Sequence, residues 1–241
     1  MMTRTRALVL RTVKYGENGL IVDMLTERHG RVSFMVKVPR TSKGKIRKQL
    51  LMPLTLLEVD FDFRMKSGLQ RLRDLRIAQP LPSLALHPYK LSISLFIAEF
   101  LSYATRDEHD NETLFQFVAY SLEWLDSVEE GFSNFHLVMM IKLTRFIGFY
   151  PNVDEATEGG YFDLLNACFT SSVPLHSHFL GPAEASKISL LMRLNYNTMH
   201  LCAMSRMERN RCTEVILEYY KLHVPGFPLL KSFDVLKELF V

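Results

Sequence analysis

Alternation of apolar and polar positions dominates the first eighty residues. In 54–64, LTLLEVDFDFR, the residues Leu57, Val59, Phe61 and Phe63 fall on one side and Glu58, Asp60, Asp62 and Arg64 on the other. That period of two is the mark of a half-buried strand. Residues 32–38, VSFMVKV, repeat it, with Val32, Phe34, Val36 and Val38 on one face. The β-former runs 5–13 (TRALVLRTV) and 20–26 (LIVDMLT) come earlier, and 69–78 (LQRLRDLRIA) follows with poorer alternation. The turns YGENG, ERHGR and MKSG separate several of them. Five short strands at such spacing predict a small closed β-barrel. An OB-fold would look like this, although periodicity alone does not separate it from an SH3-like barrel.

Beyond it the pattern changes. QPLPSLALHP (79–88) carries three prolines and reads as a linker. Residues 89–105 are apolar nearly all round and predict a buried helix. Asp110 or Asn111 can cap the next helix, TLFQFVAYSLEWLDSV. Residues 133–147, 183–206, 210–223 and 231–240 supply further helical segments, while 149–181 is irregular. The fold class expected is α+β and multidomain: a five-stranded OB-fold barrel over 1–79, then a mainly α-helical domain over 80–241. An irregular insert occupies about 149–181.

Charge sharpens this division. The formal net charge of +3 is the difference between unlike halves. Residues 1–80 hold 17 Lys plus Arg against 7 Asp plus Glu, a balance of +10; residues 81–241 hold 12 against 19, a balance of −7. A basic first third suits a polyanionic partner. Its densest part is KVPRTSKGKIRK, where Lys37, Arg40, Lys43, Lys45, Arg47 and Lys48 occur without an acid. A solvated positive face kept for solubility is the plain alternative. Lys and Arg on a loop can follow a phosphate backbone, and each phosphate neutralised releases counterions. Arg11, Lys14, Arg71 and Arg73 extend the candidate nucleic-acid site, with Arg4, Arg6, Arg31, Arg64, Lys66 and Arg76 nearby in sequence. Tyr15 is a candidate stacking platform. Phe34 alternates with Val32 and Val36 and belongs to the core instead.

Other chemistry finds little support. There is no Walker A, GxGxxG, HExxH or GxSxG sequence. Cys168, His176 and His178 hint at metal, but a fourth ligand would have to come from Asp163 or from afar, so no metal or cofactor is expected. The carboxylate runs Asp60–Asp62, Asp107–Asp110 and Asp154–Glu158 read as solvated surface rather than a nuclease centre. Three cysteines, Cys168, Cys202 and Cys212, read as buried small residues in a reducing compartment. Cys202 and Cys212 flank what looks like a basic turn, RMERNR, and Trp124 and the Met139–Met140 pair read as core. No run of 18 apolar residues indicates a membrane span, and the early apolar run is too soon broken by Arg11 and Lys14 to be a signal core.

The stretch from Ala7 to Phe61 resembles the amino-terminal domain of the RecO family of bacterial recombination mediators. The matching features are VLRTxxYGE, LTxxHGR, a basic loop and LxPLxLLEV. The ending YYKLHVPGFPLLKSFDVLKELF is similar to the family's close, and the centre shares helical character and the element IGFYP. The resemblance implies an OB-fold followed by a helical domain, and no enzyme activity. It implies binding of single- and double-stranded DNA, strand annealing, and work with RecR and the C-terminal tail of single-strand-binding protein to load RecA. The DNA contacts it implies begin at Lys37 and Arg40. It places the protein in a bacterial cytoplasm, at the nucleoid. Many members carry a four-cysteine zinc element after IGF-P; here that region has only Cys168, which predicts a loop without zinc. The tail site should be an apolar pocket with a basic residue in the helical domain. The competing reading from charge and barrel alone is an OB-type RNA-binding accessory protein. A metal-dependent nuclease and a scaffold for an acidic protein are further readings.

Overall fold

The computed structural model describes residues 2–17, 19–37, 48–64, 66–109, 111–152 and 159–239. Arg40, Lys43, Lys45 and Arg47 lie outside the described residues, as do Val38, Asp110 and Asp154–Glu158.

Strands β1 (Met2–Tyr15), β2 (Gly19–Thr26), β3 (Gly30–Lys37), β4 (Leu56–Asp62) and β5 (Gln70–Gln79) close into a barrel in the order β1-β2-β3-β5-β4. All neighbours are antiparallel except β3 and β5. β1 is long enough to serve two partners. Its first half pairs with β4 and its second with β2, and a register shift between Val9 and Arg11 bends it between them. The alternation read from the sequence is realised. Leu57, Val59 and Phe61 are fully buried while Glu58, Asp60 and Asp62 face out. Phe34 fills the barrel centre, edge-on to Phe61 at 4.9 Å. Burying one such ring contributes about 2–3 kcal/mol.

The turn ERHGR is held by Thr26 just before it and by its own His29 and Gly30. Thr26 is fully buried; its hydroxyl donates to the Gly30 carbonyl at 2.9 Å and accepts from the His29 N–H at 3.1 Å. The His29 ring stacks on Phe63 at 4.1 Å. Gly30 has φ +56°, and a Cβ there would lie 2.4 Å from the Glu108 carbonyl oxygen. Only glycine allows that approach, in which the Arg31 N–H donates to the same carbonyl at 3.1 Å.

The helices are α1 (Pro82–Leu86), α2 (Pro88–Ala104), α3 (Glu112–Ser127), α4 (Phe135–Leu143), α5 (Pro182–Arg193), α6 (Arg206–His223) and α7 (Ser232–Leu236). The strands β6 (Tyr161–Asp163), β7 (Cys168–Thr170) and β8 (Phe179–Leu180) make a small sheet ordered β7-β6-β8. The chain divides into two compact units, Met1–Ser127 with Leu230–Leu236, and Val128–Leu229 with Lys237–Val241.

Within the first unit, the stretch read as a linker holds a helical turn. Pro82 presets φ at the start of α1. The buried Lys90 then ties it down, donating to Ser83 Oγ at 2.7 Å and to the Asp126 carbonyl at 3.0 Å. Asn111 caps α3, accepting from the Leu114 N–H at 3.0 Å. Glu99 on α2 holds the start of α7, accepting from the Ser232 N–H at 2.7 Å and the Lys231 N–H at 3.2 Å. Phe233 then packs 6.0 Å from Phe96.

In the second unit, three sequence readings are corrected. The helix expected over 183–206 stops at Arg193, because Asn195 Oδ1 accepts from the Asn197 and Thr198 N–H groups and competes with helix. RMERNR is not a turn but the start of α6. Ser205 and Glu208 form a reciprocal capping box there, and Arg209 is buried, donating to Asn134 Oδ1 at 3.0 Å. Of the three cysteines only Cys212 is buried; Cys168 and Cys202 are intermediate. Met139 and Met140 are fully buried, as expected of core.

Candidate nucleic-acid interface

Strand register brings the candidate residues together. On the outward side of β1, β2 and β3, Tyr15 pairs with Gly19 and Gly19 with Lys37. The next outward row runs Val13, Ile21, Met35 and Arg71 across four strands. Lys14 is exposed at the end of β1, beside Tyr15. Three of the sequence candidates, Tyr15, Lys37 and Arg71, therefore share the outward side of these strands; Lys14 alternates with them in the row of Leu20 and Val36, and Arg73 turns toward Asp62 of β4. Lys48 is exposed on the short 3-10 helix Lys48–Leu51. Between β4 and β5, a hollow of about 590 Å³ is lined by Arg64, Arg71 and Arg73 together with Asp62, Ser67 and Gln70. In five-stranded barrels of this topology, the face of strands 2 and 3 and the loops β1–β2 and β4–β5 bind oligonucleotides and oligosaccharides.

Charge on the barrel is sorted by pairing. On the β1–β4–β5 side the cations meet acids. Arg4 holds Asp60 through two bonds, at 2.7 and 2.9 Å. Arg76 donates to Glu58 at 2.6 Å, and Arg73 donates to Asp62. Arg6 grips Glu27. A third cluster centres on the buried Asp23, which accepts from Ser33 at 2.6 Å and from Arg11 and Arg31 at 3.1 Å each. Burial pushes the Asp23 carboxyl up, but the Ser33 hydroxyl and the two guanidinium groups outweigh it and hold the carboxyl below its usual range. Arg31 also donates to the Ser102 carbonyl of α2, and burial lowers its pKa. Lys14, Lys37, Lys48, Arg64, Lys66 and Arg71 make no ion pair among the described residues. With Arg28, exposed between β2 and β3 and likewise without an ion pair among the described residues, they are cations left available to phosphate.

The second unit's histidines are used locally. Asp163 accepts from the Leu165 and Asn166 N–H groups, from Asn166 Nδ2 and from His176 Nε2, at 2.8–3.1 Å. His178 Nδ1 lies 3.5 Å from Glu218. No three His, Cys, Asp or Glu side chains come together as a metal site would need among the described residues.

Residues 1–81 match the family model described as recombination protein O N terminal, and residues 86–232 that described as recombination protein O C terminal. The chain belongs to the RecO family of DNA repair proteins. It is 49% identical to the DNA repair protein RecO of Phocaeicola vulgatus and 48% identical to that of Bacteroides fragilis, with all of each chain covered. The DNA repair protein RecO of Porphyromonas gingivalis is 29% identical over the same span. RecO membership agrees with the closed five-stranded barrel followed by helices. Among the described residues no helix is long and apolar enough to cross a membrane.

The RecO barrel also carries what counting charges did not show. Val13, Ile21 and Met35 are aliphatic on an outward face, and Val13 is 44% exposed. The signal was present in the alternation: these residues have opposite parity to the buried Val22, Phe34 and Val36.

Proposed function

We propose that this RecO-family protein is a non-enzymatic recombination mediator. In this reading a nucleic-acid-binding domain over 1–79 holds single- and double-stranded DNA, and a helical domain over 80–241 meets other proteins. The protein promotes annealing of complementary strands. With RecR it loads RecA onto strands covered by single-strand-binding protein, in a bacterial cytoplasm at the nucleoid. The observation that carries the reading is that Lys37 and Arg71 lie in neighbouring outward rows without ion pairs among the described residues, as do the exposed Lys14, Arg64 and Lys66 elsewhere on the barrel, while Arg4, Arg6, Arg11, Arg31, Arg73 and Arg76 meet acids. Arg40, Lys43, Lys45 and Arg47 extend that field by their place in the sequence, between β3 and Lys48. Its chemistry is charge neutralisation, which needs no catalytic group.

The acidic tail of single-strand-binding protein has a fitting seat in the second unit. A hollow of about 300 Å³ between α5 and α6 has Ile188, Cys212 and Val215 in its lining. Lys187–Glu208 at 2.5 Å and Arg211–Glu184 at 2.6 Å pair across it. A carboxylate-ended apolar peptide can take over either cation while its side chains fill the floor.

The test is annealing of complementary strands coated with single-strand-binding protein. The expected result is acceleration by the full chain, reduced by Lys37→Ala with Arg71→Ala. Absence of acceleration on coated strands overturns the mediator reading.

A further inference from the structure

The geometry points to Gln70 as a positioning residue: its buried side-chain amide sets the turn between β4 and β5 in advance, so that Arg64 is offered to phosphate beside Arg71. The inference rests on the DNA-binding reading and deepens it, because it names what fixes two of the available cations relative to each other.

Gln70 opens β5 and is only 5% exposed. Its backbone stands opposite Phe34 of β3, where the barrel closes. Its side chain serves a different segment. Oε1 accepts from the Arg64 N–H at 3.0 Å, and Nε2 donates to the Arg64 carbonyl at 2.9 Å. Nε2 also donates to the Ser67 carbonyl at 2.7 Å. The Ser67 N–H closes the turn by donating to the Arg64 carbonyl at 3.0 Å, and the Ser67 hydroxyl donates to the Leu69 carbonyl at 2.7 Å. The β4–β5 ladder has its last pair at Phe61 and Leu72. Arg64 lies beyond that pair, and the carboxamide does for it what a neighbouring strand does for a ladder residue, binding its N–H and its C=O together. Turned the other way, the amide would set N–H against N–H and carbonyl against carbonyl, so these bonds also fix its orientation.

The barrel core has no need of an amide here. Leu72 and Leu75 of β5 are buried as apolar groups, and an apolar side chain at position 70 would be buried without desolvating a polar one. The carboxamide's desolvation is offset by its bonds to the turn. Those bonds join two cations. Arg71 follows Gln70 along β5, Arg64 is gripped by the Gln70 side chain, and both line the hollow of about 590 Å³. Arg73 in the same hollow is occupied by Asp62, whereas Arg64 and Arg71 make no ion pair among the described residues. Lys66 is exposed in the same turn. A segment that must order itself around its ligand loses affinity to that ordering, and one already held does not.

Gln70→Met tests this in the full chain, since it keeps an unbranched side chain and removes all three bonds. The probe is a labelled single strand of mixed sequence, followed by anisotropy across a salt series. Binding should weaken about tenfold, the scale of the ordering cost for two long side chains. The salt slope should stay within about 0.3 of wild type, because the same cations still meet phosphate once bound. In a chain that carries Arg64→Ala and Lys66→Ala, adding Gln70→Met should change affinity less than about twofold, since the turn then has no cation to place. Unchanged affinity in Gln70→Met overturns the positioning role. So does an equal loss with and without Arg64 and Lys66, which would make Gln70 a structural residue alone. Hydrogen exchange of the wild type without DNA needs no variant to fold: the Arg64 amide should be protected, and exchange at the rate of an open chain overturns the role. Failure of the wild type to bind the strand overturns the DNA-binding reading itself, and the positioning role with it.

Discussion

Two pairs of substitutions remove the same formal charge from the same barrel, yet should differ in effect. Lys37→Ala with Arg71→Ala takes away two cations without ion pairs; Arg4→Ala with Arg76→Ala takes away two that are held by Asp60 and Glu58. Each phosphate contact on a single strand contributes about 0.7 to the slope of log K against log salt. If Lys37 and Arg71 each neutralise one phosphate, their loss should make the slope shallower by about 1.4. The same term predicts roughly 25-fold weaker binding at 0.1 M salt, shrinking toward nothing near 1 M. The second pair should leave the slope within about 0.3 of wild type, since those cations release no counterions to DNA. Fluorescence anisotropy of a labelled strand across a salt series gives both slopes. Trp124, the chain's single tryptophan, reports whether the first unit of each variant remains folded. Equal slope changes in the two double variants would refute the reasoning, because formal charge rather than pairing would then set the interface.

Gly30→Ala should destabilise the first unit by about 2 kcal/mol or more, from the left-handed backbone and the 2.4 Å approach to Glu108. Urea unfolding followed by Trp124 emission measures it, and a loss below about 1 kcal/mol would count against the packing argument. Asp163 tests the second unit. Burial raises its carboxyl pKa, but the bonds from Asn166 and His176 outweigh burial and hold it below the usual value. Its folded pKa thus lies below its unfolded one, near 3.9. The stabilisation is present above about pH 4 and is lost as pH falls through the folded value. The thermal midpoint of Asp163→Asn should therefore fall less steeply in acid than that of wild type; parallel curves would exclude the role.

The barrel was legible because its strands are amphipathic. LTLLEVDFDFR has one workable way to bury Leu57, Val59 and Phe61, and that choice puts every acid outside. Asn111, one of two caps that the string offered, and Phe34 as core followed from equally local rules. What failed to show was whatever depends on partners distant in sequence. The helical turn at Pro82 is held by Lys90 and Asp126, whereas RMERNR was misjudged for another reason: the Ser205–Glu208 box in front of it is local, but the run of charges hid it. The candidate site divides along the same line. Basic residue types were visible in the string, but Arg4 meets Asp60 only through the β1–β4 register, 56 residues apart.

Register also explains how one barrel can be both strongly basic and locally neutral. On the β1–β4–β5 side Arg4 lies directly opposite Asp60, and Glu58 opposite Arg76. Cross-strand pairs of this kind contribute about 0.2–1 kcal/mol, so these cations serve the fold. On the β2–β3 side Met35 stands opposite Ile21 and Lys37 opposite Gly19, and the acid in register there, Asp23 opposite Ser33, is already held by Arg11 and Arg31. The described lysines of the barrel all fall among the unpaired cations, together with Arg28, Arg64 and Arg71. Every ion pair recorded among the described residues of the barrel uses arginine, whose planar fork matches a carboxylate. Lys14, Lys37, Lys48 and Lys66 are left out of those pairs, and a lysine's mobile point charge can follow a phosphate chain without a fixed geometry. A barrel that used lysine for its internal pairs would hold them loosely and lose them to passing phosphates. With arginine holding the acids and lysine facing the loops, binding DNA need not break a bond on which the barrel depends.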